Sequence, residues 1–420
     1  MAKMRWAAIA GVLALGTGTA VAALSPEPAP QRTALAGAAT PWDPAQLQAD
    51  ADAVHKAGMP GLFAEVRDGD RVWRGAAGVA DVRTGRKVTP GMRHRVGSIT
   101  KTFTAAAILQ QVQRGEIRLD APIGRYLPEL VPGERGQKIT VRMLLNHTSH
   151  IGDYIGPLFG TVENIDANRF KRHRPDDLIA MGLQAPATGR PGVQPGSYSN
   201  TNFVILGRLL EKSTGTKAER YITRNVIAKA GLRHTSFPAS PRIKGPHPRM
   251  YESMYGMIDP PRDYSVYDPT WVNTAGALVS TMPDLNRFYS ALLDGKIINR
   301  KSLAQMRRTV KVTVGGGQID YGLGLYSLSL PCGKFWGHDG AVWGAGAQTL
   351  VSQDGSRRVS FGQNLMKWNE LDSEGRPLPH PIDNALGTFL LGAACGTTAT
   401  PKADGPVQPY SPLITSPRAR

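Results

Sequence analysis

The sequence predicts an α/β protein in which segments from both ends of the chain close one sheet around an inserted helical region. Three observations carry this. Short β-like runs stand near the front, apolar residues recur at helical spacing through the middle, and β-like runs return near the end. At the front, Leu62–Val66 and Arg71–Ala77 flank Asp68-Gly69-Asp70, a hairpin signal. In the middle, Thr102–Gln113 alternates at helical spacing and stops at Gly115. Thr140 is placed to cap a short helix through Leu145, and Asn202–Lys212 reads as a third helix. The late β-like segments are Tyr321–Leu330, Lys334–His338, Ala347–Ser352 and Val359–Asn364.

Of the 420 residues, 41% are hydrophobic and 20% charged. That composition excludes a disordered, collagen-like or coiled-coil chain. The first 22 residues read as an export signal: Lys3 and Arg5, then an apolar run from Trp6 to Leu15, then Ala20-Val21-Ala22 at the cleavage positions. Gly16-Thr17-Gly18-Thr19 interrupts the run too early for a stable membrane anchor. With no cysteine after it, amino-terminal lipid attachment is excluded. The expectation is a protein secreted from the cell or working in its envelope. Residues 23–42 read as a flexible Ala/Pro-rich leader, 43–397 as the folded domain and 398–420 as a disordered tail.

Removing residues 1–22 takes away two basic residues and no acid, lowering the net charge from +17 to +15. Export argues against nucleic acid as the partner of that charge, and no basic stripe is interleaved with aromatics. The densest basic cluster, Arg169 to Arg174, reads as a solvated face. Envelope polyanions and carboxylate-bearing substrates fit better. Cys332 and Cys395 are the only thiols. An even count in an exported chain favours a disulfide over two buried thiols, closing a loop worth roughly 4 kcal/mol in the chain-entropy model.

Acyl chemistry at a serine needs an activated hydroxyl, an adjacent base and backbone donors for the oxyanion. The G-x-S-x-G elbow of the α/β-hydrolases is absent. The chain carries instead one S-x-x-K, Ser98-Ile99-Thr100-Lys101, at the head of the Thr102–Gln113 helix. Residues i and i+3 share a helix face, so the lysine amine can reach the hydroxyl. A helix start also supplies free N–H groups. Tyr198-Ser199-Asn200 adds a phenol able to share a proton with Lys101, and an amide able to hold a substrate carbonyl. Gly337-His338-Asp339-Gly340 reads as an edge strand entering a Gly-rich turn. There an N–H two or three residues past His338 can complete an oxyanion hole. Singly, these have structural readings: an N-cap serine with a solvated lysine, a packing aromatic, a structural histidine. Together, in this order and about 100 and then 140 residues apart, they describe one site. The nine histidines show no H-E-x-x-H run, and neither a metal nor a cofactor is expected.

With these motifs the chain resembles the penicillin-recognising serine hydrolases over roughly residues 43–397. That group includes class C β-lactamases, secreted D-alanyl-D-alanine carboxypeptidases, and related esterases and D-aminopeptidases. Supporting stretches are Arg95-Val96-Gly97-Ser98, Ile139 to Ser149, Tyr198 to Phe203, Ala275 to Ser280, and Tyr321 to Leu325. The resemblance implies a β-lactamase/transpeptidase-like fold, an antiparallel sheet flanked by helices with a mostly helical insertion. It implies Ser98 as acylated nucleophile, Lys101 as its proton partner, Tyr198 as general base or acid, and His338 where many relatives carry lysine. Asn200 would bind the substrate amide, Trp271 would line the cleft, and the N–H groups of Ser98 and Ala341 would form the oxyanion hole. Cys332 and Cys395 match the two bridged late cysteines of the secreted carboxypeptidases. The expected partners are a cell-wall stem peptide or another small acyl substrate, with β-lactams as acylating ligands, acting on a monomer.

The secreted carboxypeptidases usually read H-T-G-T where this chain reads His338-Asp339-Gly340-Ala341. They also tend to carry an arginine soon after the Y-G-L-G-L run, where Tyr326-Ser327-Leu328 stands here. An anionic Asp339 would repel a substrate carboxylate by about 1 kcal/mol in solvent and by several when partly buried. The acylation machinery is present while the carboxylate-recognition shell is altered. A D-Ala-D-Ala carboxypeptidase-like activity is the leading expectation. A β-lactamase, an esterase, a D-amino-acid amidase, or a non-catalytic penicillin-sensing or wall-binding protein are the alternatives.

Overall fold

The computed structural model describes residues 41–315 and 317–396; the export signal, nearly all of the leader and the tail assigned above lie outside them. Ten strands form the main sheet. They are β1 (Gly61–Asp68), β2 (Arg71–Asp81), β3 (Arg86–Lys87), β4 (Gly196–Ser197), β5 (Val310–Val314), β6 (Gly317–Tyr321), β7 (Tyr326–Leu330), β8 (Gly333–Val342), β9 (Ala345–Ser352) and β10 (Arg357–Gln363). Their order is β3-β2-β1-β10-β9-β8-β7-β6-β5-β4. Strand β1 pairs with β10, Val66 opposite Val359, so the two ends of the chain do close one sheet. Every pair is antiparallel except β4 with β5 at the far edge, which is parallel.

The Asp68–Asp70 hairpin forms as expected. Asp68 faces Arg71 across the two-residue loop, and Gly69 takes the φ of +57° that such a loop requires. Tyr321–Leu330, read as one segment, is two strands. Gly322–Leu325 turns the chain back between them, with Gly324 at φ +79° and Gly322 N–H bonded to Leu325 O at 2.7 Å. Trp42, assigned to the leader, is only 3% exposed. It packs under the Arg71 guanidinium, 4.6 Å from its ring centroid, because an indole at the sheet edge gains more from burial than from water.

One face of the sheet is covered by α1 (Pro44–Lys56) and α5 (Pro381–Cys395), and the other by α4 (Met282–Leu293) with the helical insertion behind it. Asp43 caps α1 through the Ala45 N–H at 2.9 Å. His380 and Asp383 cap α5 reciprocally. The central helix α2 (Thr100–Gln113) is buried from Thr100 to Gln111, polar Thr102, Thr104 and Gln110 included, so the alternation read there does not divide a core side from a solvent side. Helix α3 (Asn200–Thr214) packs beside it and ends on Gly215 at φ +64°. Thr140 caps Val141–Leu145, as its spacing predicted. The disulfide Cys332–Cys395, Cα atoms 5.3 Å apart, ties the β7–β8 turn to the end of α5.

Candidate active site

Ser98 sits on a single tight turn, Gly97–Ile99, that runs directly into α2. Two glycines let this turn lie against β8. A methyl group on Gly97, whose φ is +49°, would come within 2.6 Å of the Ala341 nitrogen. One on Gly340 would stand 1.9 Å from Val96 O and 2.9 Å from Ser98 N. With both side chains absent, the backbone N–H groups of Ser98 and Ala341 come to the same small region, as an oxyanion hole needs.

One turn into α2, Lys101 is fully buried. Its Nζ lies 2.9 Å from Ser98 Oγ, 2.7 Å from Asn200 Oδ1 and 2.9 Å from Ala275 O. Burial pushes its pKa down to about 7, with Asp153 and Asp339 pulling the other way. The hydrogen bonds then have one solution. Asn200 Nδ2 donates to Asp153 Oδ2 at 2.8 Å, so its Oδ1 must face Lys101. Asn200 Oδ1 and Ala275 O can only accept. A neutral amine therefore spends its two hydrogens on them and turns its lone pair to the Ser98 hydroxyl. The geometry is that of a general base.

Tyr198 follows β4, its N–H bonded to Thr313 O at 3.2 Å, and its ring lies 4.9 Å from Lys101 Nζ. Burial above all, then Tyr321, hold its pKa well above the usual phenol range, and hydrogen bonding with Ser98 only partly opposes them. Among the described residues the hydroxyl completes no well-formed hydrogen bond. It is a protonated phenol beside the nucleophile, suited to passing a proton on rather than starting as phenolate.

The other expectations fall out unevenly. His338 lies on β8, an interior strand between β7 and β9 rather than the expected edge, because β5–β7 extend the sheet beyond it. No turn follows until after Val342. Its ring nitrogens are taken by Tyr321 Oη, at 2.9 Å, and by Asp339 O. Burial and then Lys101 push its pKa down to about 3, so it is neutral and buttresses Tyr321 instead of touching the hydroxyl or the amine. Asp339 is buried 3.6 Å from His338 Nδ1. Trp271 stacks on Trp343 at 4.6 Å and meets Phe159 edge-on. These three aromatics line a cavity of about 430 Å³ together with Tyr198, Asp153 and Lys367.

Sequence reasoning passed over two residues. Asp153, a lone acid in Ile151-Gly152-Asp153-Tyr154-Ile155, accepts both the backbone and side-chain N–H of Asn200 and lines the cavity. Burial raises its pKa, against those hydrogen bonds and Lys101. A single acid inside an apolar run was the available signal. His147, at φ +62°, templates the Tyr198 loop: its carbonyl accepts Ser197 N–H, its Nδ1 accepts Ser199 N–H, and its ring lies 4.1 Å from the Tyr198 ring.

A serine, a buried amine and a buried phenol on this fold define a serine hydrolase of the β-lactamase/transpeptidase type. The beta-lactamase family model matches residues 45–378, and the chain belongs to that family. It is similar to a D-stereospecific amidohydrolase structure from Streptomyces sp., with 34% identity, TM-score 0.73, and coverage of 84% of this chain and 99% of that one. Penicillin-binding protein 4 of Amycolatopsis lactamdurans is 28% identical, over 83% of this chain and 98% of its own. A D-aminopeptidase of Cereibacter sphaeroides is 27% identical over 83% of this chain, which spans only 62% of that relative's length.

Proposed function

We propose that this enzyme hydrolyses amides and esters of D-amino acids that carry a free α-amine, through an acyl-enzyme on Ser98. The neutral Lys101 amine takes the Ser98 proton as Oγ bonds to the acyl carbon. The carbonyl oxygen becomes an oxyanion between the N–H groups of Ser98 and Ala341. Tyr198 relays the proton from Lys101 to the departing nitrogen, the C–N bond breaks, and water then releases the acid by the same route reversed.

The observation that carries the substrate class is Asp153. Its carboxylate lies in the cavity wall beside Asn200, next to where the acyl group must sit, and Asp339 adds a second carboxylate close to Lys101. No arginine lines the cavity among the described residues. The one lysine that lines it among the described residues, Lys367, is 3.7 Å from the buried Glu252 carboxylate. Such a field attracts an ammonium and repels a terminal carboxylate. The similarity to a D-stereospecific amidohydrolase and to a D-aminopeptidase supports the D-configuration.

The similarity to penicillin-binding protein 4 supports a second reading, a D-Ala-D-Ala carboxypeptidase-like enzyme acylated by β-lactams. The leader pattern and the Cys332–Cys395 bridge support action outside the cytoplasm in either case.

Hydrolysis of a D-amino-acid anilide, its N-acetyl derivative and its L-isomer tests the proposal. The free-amine D-compound is expected to lead by at least about tenfold in kcat/KM, the worth of one charge-assisted hydrogen bond. Asp153→Asn should erase the preference for the free amine while leaving acylation by a neutral ester. Faster turnover of a blocked peptide ending in D-Ala-D-Ala would overturn the proposal in favour of the second reading.

A further inference from the structure

Apart from the active-site cavity, two adjoining clefts share one wall residue, Lys229. The first, about 330 Å³, is lined by Arg67, Arg287, Lys296 and Arg358 as well. The second, about 310 Å³, adds Arg114 and Arg224. No acidic side chain lines either cleft among the described residues. Of the neighbouring carboxylates, exposed Asp294 pairs with Lys296 at 3.1 Å, while two others act from beneath. Glu65 and Asp284, at most 1% exposed, hold Arg67 at 2.8 Å and Arg287 at 2.9 Å. Ser290 Oγ and Gly69 O fix Arg358 in the same way, both at 3.2 Å. Three guanidinium groups are thus positioned by the fold, while Lys229, Arg224 and Arg114 stand exposed along the continuation.

We propose that this double cleft is a binding groove for a linear polyol-phosphate polymer, a phosphodiester chain of the kind found in cell envelopes. The cations are spread along two connected clefts rather than converging on one point. That distribution fits repeated single charges better than one compact anion. Phosphodiester chains with bases would also need exposed aromatic faces for stacking. No aromatic residue lines either cleft among the described residues, and Tyr221, under Arg114 at 6.0 Å from its guanidinium carbon, is 5% exposed. The groove offers charge without a stacking platform, which selects the polyol backbone over nucleic acid. None of its residues lines the active-site cavity, so it would hold the enzyme on a polymer without occluding catalysis.

The test uses the full chain and two triple variants of equal charge change. Arg224→Gln/Lys229→Gln/Lys296→Gln lies in the groove. Lys171→Gln/Arg172→Gln/Arg174→Gln lies in the exposed basic cluster outside it. Binding to a short poly(glycerol phosphate), and to single-stranded DNA of the same charge number, is measured by titration at several salt concentrations. Ester hydrolysis by each variant reports the fold. The groove triple is expected to lose roughly thirtyfold in affinity for poly(glycerol phosphate), with the slope of log K against log salt falling by about two. The control triple should lose less than about threefold, and DNA should bind more weakly than the polyol phosphate. Equal losses in the two triples would mean attraction by net charge alone and overturn the groove. DNA binding at least as tight, and lost in the groove triple, would overturn the choice of polymer.

Discussion

At the residue scale the account turns on an amine that is neutral at working pH. Lys101 is buried with no ion pair in contact among the described residues, and burial outweighs the two carboxylates that would keep it charged, bringing its pKa to about 7. The base must be deprotonated, so acylation by a neutral ester should rise with pH as pH passes about 7 and level off above it. Asp153→Asn and Asp339→Asn each remove a group that raises the Lys101 pKa. Both should move that limb to lower pH, read from kcat/KM against pH. Lys101→Met should lower kcat roughly a hundred- to ten-thousandfold with little change in KM. Ser98, Lys101 and Tyr198 were legible in the sequence because the chemistry fixes residue types at short spacings. His338 was located by the same logic but its contacts were not. Whether an imidazole meets the hydroxyl or a second phenol, here Tyr321, depends on β6 and β8, which no local pattern aligns.

At the element scale, the site exists because one turn and one strand touch. Gly340→Ala would drive a methyl into Val96 O. Backbone cannot yield as a side-chain end does, so the expected cost is about 1–3 kcal/mol or more. Thermal unfolding with titration by a serine-directed probe should show both a lower midpoint and slower acylation. Gly69→Ala, at a solvent-facing hairpin loop with nothing within 4 Å, should shift stability only modestly through its φ and leave acylation unchanged. The hairpin, the Thr140 cap and helices α2 and α3 were readable from turn and capping residues. The Tyr321–Leu330 break was not, since its apolar run continues through the turn and only Gly322 and Gly324 mark it. The parallel β4–β5 pair was equally hidden, because a two-residue strand carries no alternation to read.

At the scale of the whole molecule, β1–β3 from the front and the short β4 from the middle complete a sheet otherwise built from the last third of the chain. The Cys332–Cys395 bridge pins α5 over it, closing a separation of 63 residues. Reduction should lower stability by roughly 4 kcal/mol in the chain-entropy model, measured by denaturant unfolding with and without reductant, while folded enzyme keeps its acylation rate. The broad α/β plan was legible because β-like runs occur at both ends with helices between. Of the cavity only Trp271, beside the catalytic Tyr198, was placed in advance, since Asp153 with Phe159, Trp271 and Trp343 come from three separate stretches of chain.

The most direct test of the central claim is intact-mass analysis after incubation with a fluorophosphonate, followed by peptide mapping. The account predicts one adduct per chain on the peptide containing Ser98, absent in Ser98→Ala and formed much more slowly in Lys101→Met. An adduct of the same stoichiometry in Ser98→Ala would contradict it.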